Sequence, residues 1–274
     1  MNVKTIKKLL GDVRPKKGLG QHFLIDESVL DRIVAAAGVG PADSVLEIGP
    51  GLGVLTRALA EQAGHVTAVE LDEQMVGILR DELAGFDNLE IAPGDILQID
   101  PRELIAGPYI VVANLPYYIT SAVLRHLLET EHKPARLVLT MQLEVAQRIL
   151  ARPGDMSILA VSVQFYGKPE LVTRVPAGAF WPRPEVDSAV LRIDVYEEPP
   201  VAVDDVDWFF KVVRAGFGQK RKQLKNALAG GLHPSKAEVG TALEQAGIDP
   251  RRRAETLSLE EWAALARALG VLDS

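Results

Sequence analysis

The sequence predicts an open α/β sheet of largely parallel strands, followed by a smaller all-helical domain. Short apolar runs alternate with helix-spaced stretches from residue 26 to residue 150. A glycine-rich loop, Gly49-Pro50-Gly51-Leu52-Gly53, comes directly after the first buried run and opens a helix. Beyond the break at Glu197-Glu198-Pro199-Pro200 the pattern is helical throughout.

With 274 residues, 47% hydrophobic and 24% charged, the chain has room for a core and a second domain. No run approaches the roughly 18 apolar residues of a membrane span. The basic start (Lys4, Lys7, Lys8) lacks the apolar core of a secretory signal, so a cytoplasmic location is expected. The lack of cysteine excludes disulfides, thiolate zinc sites and cysteine nucleophiles. Five histidines, none paired at metal-ligand spacing, argue against a metal centre.

The net charge of −7 argues against a polyanionic partner, but the charges are unevenly spread. Lys4, Lys7, Lys8, Arg14, Lys16 and Lys17 are set against a single acid, Asp12. Between Trp208 and Asn226, Lys211, Arg214, Lys220, Arg221, Lys222 and Lys225 are set against none, and Arg251, Arg252 and Arg253 follow. Clusters of this kind make a local basic surface if they share a face, and otherwise are solvated helix faces.

In chain order, residues 1–20 form a basic arm with a short amphipathic piece (Ile6, Leu9, Leu10), expected to be mobile without a partner. Asp26 is placed to cap a helix carrying Val29, Leu30, Ile33 and Val34. Residues 44–48 predict a buried strand, and the glycine loop after them lets backbone approach a ligand before a helix over 54–62. The next strand, 65–69, ends in Glu70, placed to accept both hydroxyls of a ribose. Glycine loop plus acid is the general nucleoside-binding arrangement. Val54 stands where a dinucleotide fingerprint wants its third glycine, and Glu47 suits a pyrophosphate poorly. A cofactor with an amino group and a sulfonium, and no phosphate, fits better.

A helix over 73–83 and strand pieces at 89–92 and 94–96 put Asp95 at the same sheet edge, where it can accept from an adenine amine or simply cap a turn. The apolar run 109–113 predicts a strand that ends in Asn114-Leu115-Pro116-Tyr117. There an amide, backbone carbonyls and an aromatic ring come together: the first two can accept from an exocyclic amine and the ring can stack on a base. A helix over 121–129, a strand over 136–142 and a helix over 144–150 carrying Arg148 follow. Two strand-like runs, 159–166 and 170–175, lead to the proline-rich loop 176–184, stiff enough to present Phe180 and Trp181 in fixed positions, Trp181 as a hydrophobic anchor. A last strand spans 187–195. Helices are predicted over 208–217, 219–228, 236–246 and 259–269, with Gly218, Gly230-Gly231 and Gly247 between them.

Taken together, Gln21 to Asp26, Glu47 to Gly53, Glu70-Leu71-Asp72, Gly94-Asp95, Asn114 to Tyr117, the Val175 to Val190 stretch and Phe217 to Asn226 resemble the ribosomal RNA adenine dimethyltransferase family, from about Lys16 to the C-terminus. The nearest branch is the bacterial small-subunit (16S) one linked to kasugamycin sensitivity. The resemblance implies a Rossmann-like class I methyltransferase domain over 21–198, with a seven-stranded, mostly parallel sheet whose last strand is antiparallel, and a helical RNA-binding domain over 199–274. It implies S-adenosylmethionine as cofactor, contacted by His22, Leu24, Gly49, Gly51, Glu70, Leu71, Asp95, Ile96 and Asn114. It implies 16S rRNA, within the small subunit or its precursor, as partner, gripped by Lys16, Lys17, Arg148, Lys220, Arg221, Lys222 and Lys225.

The implied reaction methylates two adjacent adenosines near the 3′ end of that RNA, on a monomer with neither metal nor membrane. An adenine amine is a poor nucleophile, so the residues must aim it and favour a more tetrahedral nitrogen. Asn114 and the Leu115 or Pro116 carbonyl would accept from the amine, while Tyr117 and Phe180 would stack on the extruded base from opposite sides. Two other readings remain: a large-subunit (23S) adenine methyltransferase conferring antibiotic resistance, and an assembly factor whose methylation is incidental. The leucine of Asn114-Leu115-Pro116-Tyr117 and the basic stretch to Asn226 favour the small-subunit branch over the first.

Overall fold

A computed structural model describes residues 2–219, 221–232 and 234–270. They form two compact units, one of residues 1–146 and 168–195 and the other of 147–167 and 196–274. The division differs from a contiguous one at 20 and 198: the arm belongs to the sheet unit, and residues 147–167 join the C-terminal helices.

The sheet unit has seven main strands: β1 (Ser44–Ile48), β2 (His65–Glu70), β3 (Leu89–Pro93), β4 (Tyr109–Asn114), β5 (Arg136–Gln142), β6 (Gly167–Val175) and β7 (Ser188–Val195). Their order is β3-β2-β1-β4-β5-β7-β6. The pairs among the first five are parallel, and β7 runs antiparallel to β5, with Gln142 opposite Ser188. β4 shows why such runs are nearly continuous in apolar residues: Tyr109 to Ala113 are all buried, as a strand covered on both faces requires. The chain goes from β1 outward to β2 and β3, then returns to lay β4 on the other side of β1. That reversal opens a crevice beyond the carboxyl ends of β1 and β4, where the glycine loop and Asn114 both lie.

The N-terminal arm is folded, which corrects the expectation of mobility. Helix Val3–Leu10 is capped by the Asn2 side chain, and its Ile6 and Leu10 are buried in a cluster with Phe23, Leu52 and Met75. Burying two large aliphatic side chains contributes about 1.5–3 kcal/mol each, enough to hold a short helix that would not persist alone. The proline-rich loop also holds more structure than its prolines announce. Phe180–Trp181 pairs antiparallel with Phe23–Leu24, and the Asp187 carboxylate accepts from the Ala177 amide at 2.8 Å.

In the helical unit the run expected as strand 159–166 is a helix, Ile158–Tyr166, with the Ser157 side chain capping the Ala160 amide. Its β-branched composition gives way to packing: Ala160, Val161 and Phe165 lie in one apolar core with Phe209, Leu224 and Trp262, and Phe165 stacks on Phe209 at 4.9 Å. The other helices are Val206–Phe217, Leu224–Leu232, Lys236–Gln245 and Leu259–Gly270. Gly230-Gly231, expected as a break, lies inside the second of these. A Cβ on Gly231 would sit 2.7 Å from that of Ala215, so the missing side chain lets two helices touch.

Candidate active site

All the catalytic and cofactor-binding residues inferred above line a single pocket of the sheet unit: His22, Leu24, Gly49, Gly51, Glu70, Leu71, Asp95, Ile96, Asn114, Leu115, Pro116, Tyr117 and Phe180. Its floor is the end of β1 and the glycine loop, in which Gly49, Gly51 and Gly53 take φ of 68°, 58° and 76°. Side chains seldom adopt these angles, which is the local reason for three glycines in five residues.

Two carboxylates stand under that loop. Glu70 is 7% exposed, and its oxygens accept from the Gly51 amide at 3.1 Å and the Asp72 amide at 2.8 Å. Burial raises its pKa, and these two hydrogen bonds oppose the rise. Glu47 is 1% exposed, and its Oε2 has no hydrogen-bond partner, nor has the neighbouring Thr56 hydroxyl. Burial pushes its carboxyl up to about 8, and the Glu70 charge adds to the shift. A buried acid without a partner gains from a cationic ligand, which favours its ionised form, and gains nothing from a phosphate, so the donor set fits S-adenosylmethionine.

The same acid fixes a dependence of stability on pH. Unfolded, a glutamate titrates near 4.3, whereas folded Glu47 keeps its proton to about 8. Between those values the folded chain binds more protons than the unfolded one, so stability falls as pH rises. Without ligand, the wild type should lose about 1–2 kcal/mol between pH 6 and pH 8 relative to Glu47→Gln. Urea denaturation at the two pH values checks this, and equal losses in both proteins would place the titration elsewhere.

At the end of β4, the Asn114 Nδ2 donates to the His22 carbonyl at 3.0 Å. One of the amide's two N–H donors is thereby spent across the pocket wall, which turns the group so that its acceptor oxygen remains for a ligand. The Leu115 amide donates to the Thr140 carbonyl at 3.2 Å. The Pro116 carbonyl accepts from the Ile119 amide at 3.2 Å, which leaves the Leu115 carbonyl as the better second acceptor. Tyr117 is half-buried. Its hydroxyl is 2.8 Å from the Ser188 Oγ, and its ring lies 6.0 Å from that of His22 at 25°. His22 donates from Nδ1 to the Pro182 carbonyl at 2.7 Å, so Nε2 is the ring atom left over.

Phe180 lines the pocket but is 4% exposed and part of the core, while Trp181 packs beside Ile6 and Leu10. Both aromatics therefore anchor the loop. Asp95 caps a 3-10 turn, Ile96–Gln98, through the Leu97 amide at 3.0 Å, where a continuing strand was expected. Its second oxygen is not used in that turn.

Sequence reasoning gave no role to Gln21 or Asp72. Gln21 accepts from the Lys16 amide at 2.8 Å and donates to Asp72 at 2.9 Å, and Lys16 pairs with Asp72 at 2.8 Å. Burial opposes the ionisation of Asp72, but Lys16 and Gln21 hold its pKa below the usual range. Lys16 thus pairs with a carboxylate next to the pocket-lining Glu70 and Leu71, while its own side chain stays 46% exposed. No local pattern joins residues so far apart in sequence.

Of the other basic residues, Arg148, Arg221 and Lys222 are exposed and Lys225 is half-buried. Lys220 lies outside the described residues; the backbone at Lys17 belongs to a 3-10 turn, Lys17–Leu19. The Arg251 to Arg253 cluster is neutralised within its own unit: Arg251 pairs with Asp249 at 2.9 Å, Arg252 with Glu261, and Arg253 with Glu255 at 3.8 Å. Among the described residues no group of three or more His, Asp or Glu could hold a metal ion, and no helix is long and apolar enough to cross a membrane.

A family model described as ribosomal RNA adenine dimethylase matches residues 13–269. The chain is similar to ribosomal RNA small subunit methyltransferase A of Dehalococcoides mccartyi, at 52% identity over 256 residues, 92% of this chain and 88% of that protein. Among solved structures it resembles a dimethyladenosine transferase from Plasmodium falciparum, with a TM-score of 0.77, 27% identity and 89% and 96% of the two chains covered. It also resembles the 23S rRNA methyltransferase ErmE, with a TM-score of 0.73, 31% identity and 90% and 99% covered.

Proposed function

The chain belongs to the ribosomal RNA adenine dimethylase family, and from that premise we infer that it methylates the exocyclic amines of two adjacent adenosines near the 3′ end of 16S rRNA during small-subunit biogenesis. The observation that carries the reading is the Asn114 amide, one of whose N–H groups is tied to the His22 carbonyl, with its acceptor oxygen left at the pocket. Identity of 52% to a small-subunit enzyme against 31% to ErmE supports the small-subunit target over the large-subunit one. We place the activity in the cytoplasm, where small subunits are assembled.

Bound in the pocket, S-adenosylmethionine supplies a methyl group on an electrophilic sulfonium. Glu70 holds the ribose hydroxyls, and a cation bound beside Glu47 favours loss of its proton, so that the carboxylate charge develops with binding. Asn114 Oδ1 and the Leu115 carbonyl accept from the target amine, turning its lone pair away from the ring and toward the methyl group. Tyr117 stacks on the extruded adenine, its hydroxyl steadied by Ser188. Arg148, Arg221 and Lys222 contact phosphates.

Mass spectrometry of small-subunit RNA from cells lacking the gene, before and after incubation with enzyme and labelled cofactor, tests the assignment. Label in dimethyladenosine at two adjacent positions is the expected result, and label elsewhere or none would refute it. For the basic cluster, Arg221→Ala with Lys222→Ala should shallow log affinity against log salt by about 0.7–0.9 for each phosphate left without its cation. An unchanged slope would make the cluster a solvated face.

A further inference from the structure

Two tyrosines stand side by side in the turn after Asn114, and the proposed function uses only the first. The Pro116 carbonyl accepts from the Ile119 amide at 3.2 Å, which makes Tyr117 and Tyr118 the central pair of a tight turn. Leu115 before it is buried with its amide on the Thr140 carbonyl, and Thr120 beyond it is buried at the start of helix Thr120–Leu128. The turn is therefore anchored at both ends. Within it the two rings differ: Tyr117 is half-buried and tied to Ser188, whereas Tyr118 is 61% exposed although it lines the same pocket. A Cβ placed on Gly20 would lie 3.8 Å from the Tyr118 Cε1, so the ring sits by the arm at the pocket mouth.

We propose that Tyr118 stacks on the base next to the one being methylated, and so holds the second of the two adjacent adenosines while the first is in the pocket. This rests on the proposed function. Taking one base out of the stack strips its neighbour of a stacking partner on one face, and an exposed ring replaces that partner. Stacking also suits a neighbour that changes during the reaction. Dimethylation removes both donors from an adenine amine but leaves the π-face, so Tyr118 can hold the neighbouring base before and after that base has itself been modified.

The test uses small subunits assembled around RNA in which the adenosine beside the target carries no base. On unmodified subunits, Tyr118→Ala should lose about tenfold in kcat/KM, chiefly through KM, and Tyr118→Phe should restore most of it. Wild type should lose about as much on the abasic subunits, and Tyr118→Ala should lose nothing further there. Calorimetry should give the same cofactor affinity for all three proteins. Losses that multiply in the combined case overturn the proposal, as does full activity of Tyr118→Ala on unmodified subunits. Failure of wild type to methylate unmodified subunits is a separate result: it refutes the proposed function, and the role of Tyr118 falls with it.

Discussion

Asn114→Ala should slow single-turnover methylation by at least 10²–10³-fold, the usual loss when one transition-state hydrogen bond is removed. RNA affinity should hold, because the alanine variant leaves every basic side chain in place. Asn114→Asp separates the two halves of the amide. The carboxylate keeps an acceptor for the target amine, so this variant should be more active than Asn114→Ala. It loses the donor to the His22 carbonyl and sets like dipoles 3.0 Å apart, so cofactor affinity should fall where the pocket wall loosens. Tyr117→Phe should be milder than Tyr117→Ala, since the ring does the stacking and the hydroxyl only steadies it on Ser188. Rapid-quench measurement of methyl transfer at saturating cofactor decides these points. Wild-type rates in Asn114→Ala would reduce the tetrapeptide to an ordinary turn.

Glu70→Ala is expected to damage both binding and folding, because the carboxylate serves the protein as well as the ligand. Its two oxygens already accept from the Gly51 and Asp72 amides, which fastens the glycine loop to the start of the next helix. Loss of the ribose hydrogen bonds should weaken cofactor binding by about 1–3 kcal/mol. Two orphaned amides should lower the stability of the ligand-free protein by a similar amount. Glu70→Gln keeps one acceptor oxygen and should fall between. Calorimetric titration with S-adenosylmethionine and urea denaturation separate the two losses. Unchanged cofactor affinity would remove Glu70 from the ribose.

The strands were legible because each buried run is short, apolar and bounded by turn residues, as Tyr109 to Ala113 shows. The pocket was legible because its parts are contiguous motifs at strand ends. The segment Ile158–Tyr166 was not, since alternating β-branched residues look the same to a sheet as to a helix buried among Phe209 and Trp262. The docked arm escaped for a different reason. Its helix depends on burying Ile6 and Leu10 beside Phe23, Leu52 and Met75, and its latch depends on Lys16 meeting Asp72; neither leaves a periodic trace. The same holds for Arg251 to Arg253, which look like a nucleic-acid patch until Asp249, Glu255 and Glu261 are placed beside them.

The pairing of Phe23–Leu24 with Phe180–Trp181 sets a timetable for biosynthesis. The segment that lines the pocket near His22 is made before any strand of the main sheet, but its partner strand emerges only after all of β1 to β6 has been synthesised. A nascent chain that stops at residue 175 has the glycine loop, Glu70 and Asn114 and lacks the ribbon that fixes His22 and Leu24. Such an intermediate also keeps the edge of β5 unpaired until β7 is made, and an unpaired strand edge is the kind of surface on which nascent chains misassemble.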